Sequence, residues 1–495
     1  MLKRPRLSDI LGMILTFVLL YSHGPILGDP GVGWHLRTGE WILKNYAVPR
    51  FDPFLESGVT PRVWIHDQWL SDVLFWVLYR AGGWLALELL VCVCCVGCLV
   101  VVLGPFVRRY NRSAVLVFCA LALCAMVQSV QWFVRPVVIS ILLFSWVYQL
   151  ACRWFESEKL SRAETLALPI VFAIWANLHP AFILGLFVLC SAILLSRVSG
   201  RKHDDWNFEI AAVLSALATL VTPWGVGLYR SMIALAGSPY FTKLNQEWLS
   251  PDLQASAFFG LTIFILLLLG LHYRERGRPL HALDLSLLGL FLFLSLLQRR
   301  YLPYFSIVAV GPLLKLLNET SLRGANERRQ SELSRAFERI SERESNLPHS
   351  TWTLSCWVLA AATIIGTRTL PGANPEWDAR YLRLPDEMQS ALHDGRAAPI
   401  FHSPDFGGQL VWDVWPHQHP WIDDRNQLLG VSPYEQWFKM ARAEPGWEAA
   451  FDAGSFGWVL TERRSALRFI LERDNRWRKI ADSSEMGIML FRREE

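Results

Sequence analysis

Charged residues are scarce in this chain. Only 19% of its 495 residues are Asp, Glu, Lys or Arg, whereas 52% are hydrophobic, and the formal net charge is +4. An ordinary soluble domain does not need so large an apolar share for its core, so the composition predicts a membrane protein in contact with membrane lipids. The small net charge gives no sign of the basic surface that binds nucleic acid, so we expect no nucleic-acid partner.

Cysteine is missing from the polar parts of the sequence. All nine cysteines lie within apolar stretches, which excludes a disulfide framework in the loops. Cys95 and Cys98 have CxxC spacing, but the segment around them is apolar and contains no second CxxC or His pair. We therefore expect these cysteines to pack as small apolar side chains rather than to bind a metal.

Apolar stretches are what the chain has in abundance. About eleven are long enough to cross or enter a bilayer. They are 10–28, 84–104, 113–130, 136–152, 165–178, 181–196, 208–222, 256–272, 281–297, 301–317 and 351–367. The first passes signal-peptide length without a small-residue cleavage site, which predicts an uncleaved anchor.

Basic clusters set the predicted topology. They occur at every second connection between the apolar stretches, and the positive-inside rule assigns all of them to the cytoplasm. The N-terminus is then cytoplasmic, and the segments 29–83, 223–255 and 368–495 lie on the opposite side of the membrane. The mixed-charge segment 318–350 is predicted to be a cytoplasmic linker.

Two of the apolar stretches, 165–178 and 181–196, are short for a full crossing. They meet at Asn177-Leu178-His179-Pro180, where proline disfavours helix in the preceding residue and suits the first turn of the next helix. A hairpin is the preferred interpretation because both flanks are basic. A single kinked helix is the alternative.

The segments outside the membrane have secondary-structure patterns of their own. In the first loop, Trp34–Lys44 and Gln68–Tyr79 have helical apolar spacing and are predicted to lie flat on the membrane. Residues 368–495 alternate short strand patterns with helical ones, which predicts a small α/β domain. The predicted strands are Ala398–His402, Trp421–Asp423, Gly457–Leu460 and Ile488–Phe491, and the predicted helices are Pro433–Arg442 and Ser465–Arg473.

Ionisable residues fall at the outer ends of several predicted helices. They are Asp29, Arg135, His179, Glu247, Arg299 and Arg300. Ionisable groups at membrane depth are costly and usually face a cavity, so these side chains could converge on one outward-facing cavity. The alternative is that each is an interfacial side chain that reaches water on its own.

Two further groups of polar residues have more than one interpretation. His35, Asp52, His66 and Asp67 in the first loop could form a metal site, but they are scattered, and a His–carboxylate pair of His66 with Asp67 that holds the loop together is the preferred interpretation. In the C-terminal segment, Asp405 precedes a Gly-Gly pair, and Asp423 and Arg425 follow further along. That stretch could approach a ligand closely or simply turn the chain.

Several motifs of this chain resemble those of bacterial multi-pass membrane proteins. They are the segment Asp29 to Leu43, Pro49 to Phe54, Trp64 to Leu70, Trp175 to Phe182, Glu247 to Asp252, DFGGQLVW and IDDR. Proteins with these motifs are regarded as similar to the GT-C superfamily of polyprenyl-phosphate-sugar glycosyltransferases. The resemblance implies a mainly α, polytopic transmembrane bundle with a C-terminal extracytoplasmic α/β domain.

The resemblance assigns Asp29 to the acidic motif of the first extracytoplasmic loop, as a base or a ligand of a divalent metal. Relatives commonly have a second acid at the position of Gly31 and an aromatic residue at that of Gly33, so this chain departs from the pattern. The expected substrate is a sugar linked to polyprenyl phosphate.

Transfer of a sugar from a polyprenyl phosphate needs a base, cations and aromatic surfaces. Asp29 is the candidate base, Arg135 or the pair Arg299-Arg300 would hold the phosphate, and tryptophans including Trp34 would hold sugar and lipid. The leading hypothesis is therefore a glycosyltransferase of the bacterial inner membrane that acts on an extracytoplasmic acceptor.

Two other functions are open. A non-enzymatic lipid or glycan carrier should show internal repeats, and the sequence has no clear repeat. An envelope-assembly scaffold, with the C-terminal domain as its binding surface, is favoured by Gly31 in place of an acid.

Overall fold

The structure is a computed structural model that describes residues 26–56, 63–110, 113–201, 203, 205–238, 246–255, 258–274, 280–326, 339 and 383–494. The predicted spans 10–28 and 351–367 lie almost wholly outside these residues, as does most of the predicted linker 318–350. The described chain is mainly helical and ends in a small mixed sheet.

Helices account for every predicted span within the described residues. The N-terminal part contains α1 Val32–Asn45, α2 Trp69–Val96, α3 Gly104–Val107, α4 Ala114–Gln128, α5 Val137–Phe155, α6 Arg162–Leu178, α7 Phe182–Val198, α8 Asn207–Ala218, α9 Val226–Ala236, α10 Phe259–Arg274, α11 Ala282–Leu297 and α12 Leu302–Asn326. Helix α9 falls in the segment 223–255, where the sequence predicted no helix.

By length and hydropathy, two stretches of the described chain qualify as membrane spans, Trp69–Val107 and Val137–Phe155. The other apolar helices are shorter. The number of spans and their orientation therefore remain predictions.

The helix that begins at Trp69 joins a predicted surface helix to a predicted span. It contains a break at Gly82 and Gly83, where Gly83 has φ of 62°, and a π-helical turn at Gly97–Leu103 continues it. A positive φ is accessible to glycine without steric cost, so the chain can change direction there. The predicted segment Gln68–Tyr79 is thus the first part of a kinked helix.

The helix break predicted near His179 is present. Helix α6 ends at Leu178, His179 is extended with φ of −167° and ψ of 141°, and α7 begins at Phe182. Two bonds from α2 hold the break in place: the Ser71 hydroxyl donates to the Leu178 carbonyl at 2.7 Å, and the Trp69 indole donates to Asn177 at 2.7 Å.

The C-terminal residues form a four-stranded sheet with short helices. Strands β1 Ile400–Phe401, β2 Trp458–Glu462, β3 Trp477–Ser483 and β4 Ile488–Arg493 are ordered β1-β2-β4-β3, with β1 and β2 parallel and the other pairs antiparallel. The helices are α13 Asp386–Asp394, α14 Gly407–Asp413, α15 Asn426–Leu429, α16 Ser432–Ala441, α17 Trp447–Ala453 and α18 Ala466–Leu471.

The strand predictions are partly wrong. Trp421–Asp423 is not a strand, because this part of the chain makes only an isolated bridge between Ile400 and Pro420. Strand β3 was missed, since its Arg and Lys residues obscure an apolar pattern that depends on Trp477 and Ala481. The predicted α/β character of the domain is nevertheless present.

Helix α1 lies between α2 and the C-terminal domain. A Cβ on Gly33 would overlap the backbone of Gly408 in α14, and a Cβ on Gly39 would overlap the backbone of Asp72 in α2. Both glycines therefore allow an approach that no side chain would permit. The resulting contact places the first loop and the C-terminal domain against each other, and the candidate site lies beside it.

Candidate functional site

Asp29 lies in the turn before α1, where its side chain is buried, at 3% exposure. Its carboxylate accepts the backbone N–H of Gly31 at 2.9 Å and forms an ion pair with Arg135. Arg135 also pairs with Glu247. The Val134 N–H donates to the Ile26 carbonyl at 2.9 Å, and this bond aligns the two segments that carry Asp29 and Arg135.

The combined effect of burial and neighbouring charges raises the pKa of Asp29 and lowers that of Glu247. Burial raises the pKa of Asp29 to about 6, because the Arg135 charge only partly offsets the loss of water and Glu247 adds a second negative charge. Burial acts in the same direction on Glu247, but the charges of Arg135 and Arg300 outweigh it and hold the pKa of that carboxyl below its usual value. Glu247 is therefore ionised, whereas Asp29 can exchange a proton near neutral pH.

A third carboxylate, Asp424, reaches the same place from the C-terminal domain. Its Oδ1 accepts the Trp34 indole N–H at 2.7 Å. A Cβ built on Gly31 would lie 3.1 Å from Asp424 Oδ2 and 3.1 Å from Asp29 Oδ1, so both oxygens border the space above Gly31. The acidic pair in IDDR was the sequence signal for this carboxylate, but the sequence-based prediction named Asp423 rather than Asp424 as a site residue.

His179 is held in one protonation state by its neighbours. Burial, with the charges of Arg300 and Arg135 nearby, lowers its pKa to about 3, so the ring is neutral. The ring Nδ1 accepts the Ala181 N–H at 3.2 Å and lies 3.0 Å from the Ser140 hydroxyl, which itself accepts the Trp175 indole N–H. The single ring proton is therefore on Nε2, and His179 is a neutral hydrogen-bond donor there.

Arg299 and Arg300 flank this group of residues. The Arg299 N–H donates to the Leu249 carbonyl at 3.0 Å, and the Arg300 guanidinium lies over the Trp248 ring, 4.6 Å from its centroid. In the described part of the chain, no carboxylate lies within ion-pair distance of Arg300. Its charge nevertheless acts on both Glu247 and His179.

The two first-loop histidines share one carboxylate that sequence reasoning missed. Nδ1 of His35 and Nε2 of His66 each lie 2.6 Å from an oxygen of Asp72, which is fully buried. Burial lowers the pKa of both histidines well below the usual value, so each ring is neutral and hydrogen-bonded to Asp72. The predicted partner of His66 was wrong, since Asp67 instead accepts the Gln427 amide at 2.8 Å.

This arrangement does not fit a metal in the first loop. Both imidazoles are hydrogen-bonded to Asp72, while Asp52 is bound to Arg425. Among the residues described, no group of three or more His, Cys, Asp or Glu side chains is placed to hold a metal ion.

Asp52, Asp423 and Arg425 form a buried ion triad between the first loop and the C-terminal domain. Arg425 lies 2.6 Å from Asp52 and 2.5 Å from Asp423, and all three side chains are at most 3% exposed. The guanidinium also lies over the Trp34 and Trp64 rings, 5.4 and 4.8 Å from their centroids. These contacts join two parts of the structure, and they bury Trp34, at 7% exposure, under the domain.

The predicted site residues therefore fall into separate groups. Asp29, Arg135 and Glu247 are in contact, with His179 and Arg300 close enough for their charges and dipoles to interact. The other candidates lie elsewhere: His35, His66, Asp52, Asp67, Asp423 and Arg425 are buried where the loop meets α2 or the domain, and Asp405 is exposed at the start of a short 3₁₀ turn. The roles assigned to all of them remain predictions.

The chain is similar in fold to solved structures of oligosaccharyltransferases. The archaeal oligosaccharyltransferase AglB from Archaeoglobus fulgidus, in complex with an inhibitory peptide and a dolichol-phosphate, matches 92% of this chain and 69% of its own with a TM-score of 0.56 and 13% identity. An oligosaccharyltransferase of the same organism, tethered to an acceptor peptide, matches 99% and 74%, with a TM-score of 0.55 and 14% identity. ArnT from Cupriavidus metallidurans bound to undecaprenyl phosphate matches more weakly, with a TM-score of 0.48.

No family model matches the chain, and no curated protein matches it significantly. The structural neighbours confirm the predicted GT-C resemblance at the level of the fold.

Proposed function

We propose that this protein is a glycosyltransferase of the bacterial inner membrane that moves a sugar from a polyprenyl-phosphate donor to an extracytoplasmic acceptor. The observation that carries the proposal is the contact of buried Asp29 with Arg135, beside the cation Arg300 and the neutral donor His179. These residues come from distant segments of the chain, and they combine a proton acceptor with groups that stabilise an anion.

Each group has one task in the proposed reaction. The acceptor's nucleophilic atom forms a bond to the anomeric carbon, and its proton passes to the ionised carboxylate of Asp29. The bond between the anomeric carbon and the phosphate oxygen breaks, and its electron pair leaves with the polyprenyl phosphate. Arg300 and the Nε2–H of His179 stabilise the negative charge on that phosphate.

Arg300 is the better residue for a binding test than Arg135, because Arg135 is already paired with two carboxylates. We expect Arg300→Gln to weaken the binding of undecaprenyl phosphate by roughly ten-fold, since one charge-assisted contact to phosphate is lost. Binding can be measured with purified protein in lipid nanodiscs by titration with the labelled lipid.

Undecaprenol, which lacks the phosphate, is the matched control ligand, and its binding should be the same in both proteins. Equal binding of undecaprenyl phosphate by the wild type and Arg300→Gln would remove Arg300 from the proposed phosphate site. A carrier would also bind undecaprenyl phosphate, but it would not cleave this lipid from its sugar. Release of undecaprenyl phosphate from the lipid-linked sugar therefore distinguishes an enzyme from a carrier.

The transfer rate should depend on pH through Asp29. Its pKa is raised to about 6 by burial, and only the ionised form accepts a proton. We therefore expect the rate to be highest above pH 6 and to fall as the pH is lowered through this value. A pH series of undecaprenyl phosphate release, with protein integrity checked at each pH, measures this, and a rate that is constant from pH 5 to pH 8 would contradict it.

A further inference from the structure

Asp424 is far from Asp29 in the sequence, but their carboxylates lie close to each other in the structure. One Asp424 oxygen accepts the Trp34 indole N–H at 2.7 Å, which fixes the direction of the side chain. Its other oxygen and Asp29 Oδ1 each lie 3.1 Å from the point where a Cβ of residue 31 would be, and Trp34 Nε1 lies 3.0 Å from it. The two carboxylate oxygens therefore meet beside the backbone of Gly31.

The charges around the two carboxylates are not balanced. Asp29 and Glu247 share the guanidinium of Arg135, and the nearby Asp423 is already paired with Arg425. Asp424 is half-buried, and no cation lies within ion-pair distance of it in the part of the chain that the structure describes. Burial, followed by the negative charges of Asp29 and Asp423, raises the pKa of Asp424 to about 7.

Two carboxylate oxygens this close to each other attract a hydrogen-bond donor. A hydroxyl or amino group placed between them can donate to both, whereas a carboxylate or phosphate would be repelled. Trp34 does not compete for the second oxygen of Asp424, because its single N–H is already bound to the first.

We propose that Asp424 is a second catalytic carboxylate, and that it holds the nucleophilic group of the acceptor against Asp29. This inference rests on the proposed function and identifies the acceptor as a molecule with a hydroxyl or amino donor. In the transfer step, Asp29 takes the proton of the group that forms the new bond to the anomeric carbon, while Asp424 orients that group by a hydrogen bond. The C-terminal domain then supplies part of the reaction centre.

Asp424→Asn separates catalysis from domain docking. The Asn side-chain oxygen can still accept the Trp34 N–H, so the contact with the first loop is kept while the carboxylate is removed. We expect release of undecaprenyl phosphate from extracted lipid-linked sugars, with a cell-envelope extract present as the source of acceptor, to fall at least about ten-fold, with undecaprenyl phosphate binding unchanged. Asp482→Asn, an exposed aspartate on β3 of the same domain, is the matched control and should keep the wild-type rate.

Two further variants test whether the position of the carboxylate matters. Trp34→Phe removes the indole donor but not the Asp424 charge, so a larger loss in Trp34→Phe than in Asp424→Asn would indicate a docking role and overturn the proposal. The double variant Gly31→Asp with Asp424→Ala returns a carboxylate to the same place from the first loop. The Gly31 backbone has φ of −82° and ψ of −14°, which other residues adopt, and Asp424→Ala removes one of the three atoms that would crowd a Cβ at this position. We expect the double variant to recover part of the activity lost in Asp424→Ala.

The outcomes distinguish this inference from the proposed function. A wild-type protein that neither binds undecaprenyl phosphate nor releases it from lipid-linked sugars would overturn both. If the wild type binds and releases the lipid phosphate while Asp424→Asn stays within two-fold of its rate, only the role of Asp424 is overturned.

Discussion

Asp29→Asn is expected to lower the rate of sugar transfer by about 10²- to 10⁴-fold, the range typical for loss of a general base. Asparagine has nearly the same shape and can still accept the Gly31 N–H, but it cannot take a proton from the acceptor. The site around it is prearranged by Arg135, so little of the effect should come from a change in donor binding.

Two measurements are needed for this variant. The first is release of undecaprenyl phosphate from lipid-linked sugars by purified protein, and the second is the glycan profile of cells that carry only the variant. Asn removes the negative partner of Arg135, so the thermal unfolding temperature and undecaprenyl phosphate binding serve as controls for folding. An unaltered glycan at normal protein level would exclude Asp29 as the base.

Arg425→Met is expected to destabilise the contact between the first loop and the C-terminal domain by about 3–5 kcal/mol. Removal of one partner from a buried ion pair leaves an uncompensated charge, and here two carboxylates, Asp52 and Asp423, lose their common cation. The substitution also removes the guanidinium from the face of the Trp64 ring that it covers. Thermal unfolding and resistance to trypsin in detergent would measure the loss.

Two further variants distinguish the effect of the stranded carboxylate charges from the effect of the changed side-chain volume. Arg442→Met, on an exposed arginine of the same domain, should change the unfolding temperature little. Adding Asp52→Asn and Asp423→Asn to Arg425→Met removes the stranded charges and should recover part of the stability, because replacement of a whole buried ion group is far less costly than loss of one member. If the triple variant were less stable than Arg425→Met alone, stranded charge would not be the cause.

The sequence predicted the helices well because apolar length and basic flanks are local signals. The break at His179 followed from Pro180 alone, and the placement of Asp29, Arg135 and Glu247 at helix ends on one side followed from the charge distribution. Their mutual contact could only be suggested, because ionisable groups at the same depth can equally reach water separately.

Partners that depend on tertiary packing could not be predicted in this way. Asp72 lies inside an amphipathic helix and looks like a solvated carboxylate, yet α1 covers it and supplies His35 as one of its two histidine partners. Asp423 and Asp424 are adjacent in sequence, and only the docked domain shows that the first pairs with Arg425 and the second faces Asp29. The requirement for glycine at position 33 likewise becomes visible only when α14 is packed against α1, because a Cβ there would overlap the backbone of Gly408.

The close packing of α1 against α14 also bears on when the protein becomes competent during its synthesis. Arg425 is 373 residues beyond Asp52, and Gly408 meets a helix that is translated much earlier. The buried groups of the first loop therefore stay open to water until translation has passed residue 425 and this part of the chain has folded against the loop. A product truncated before Gly408 would lack the surface that covers the loop.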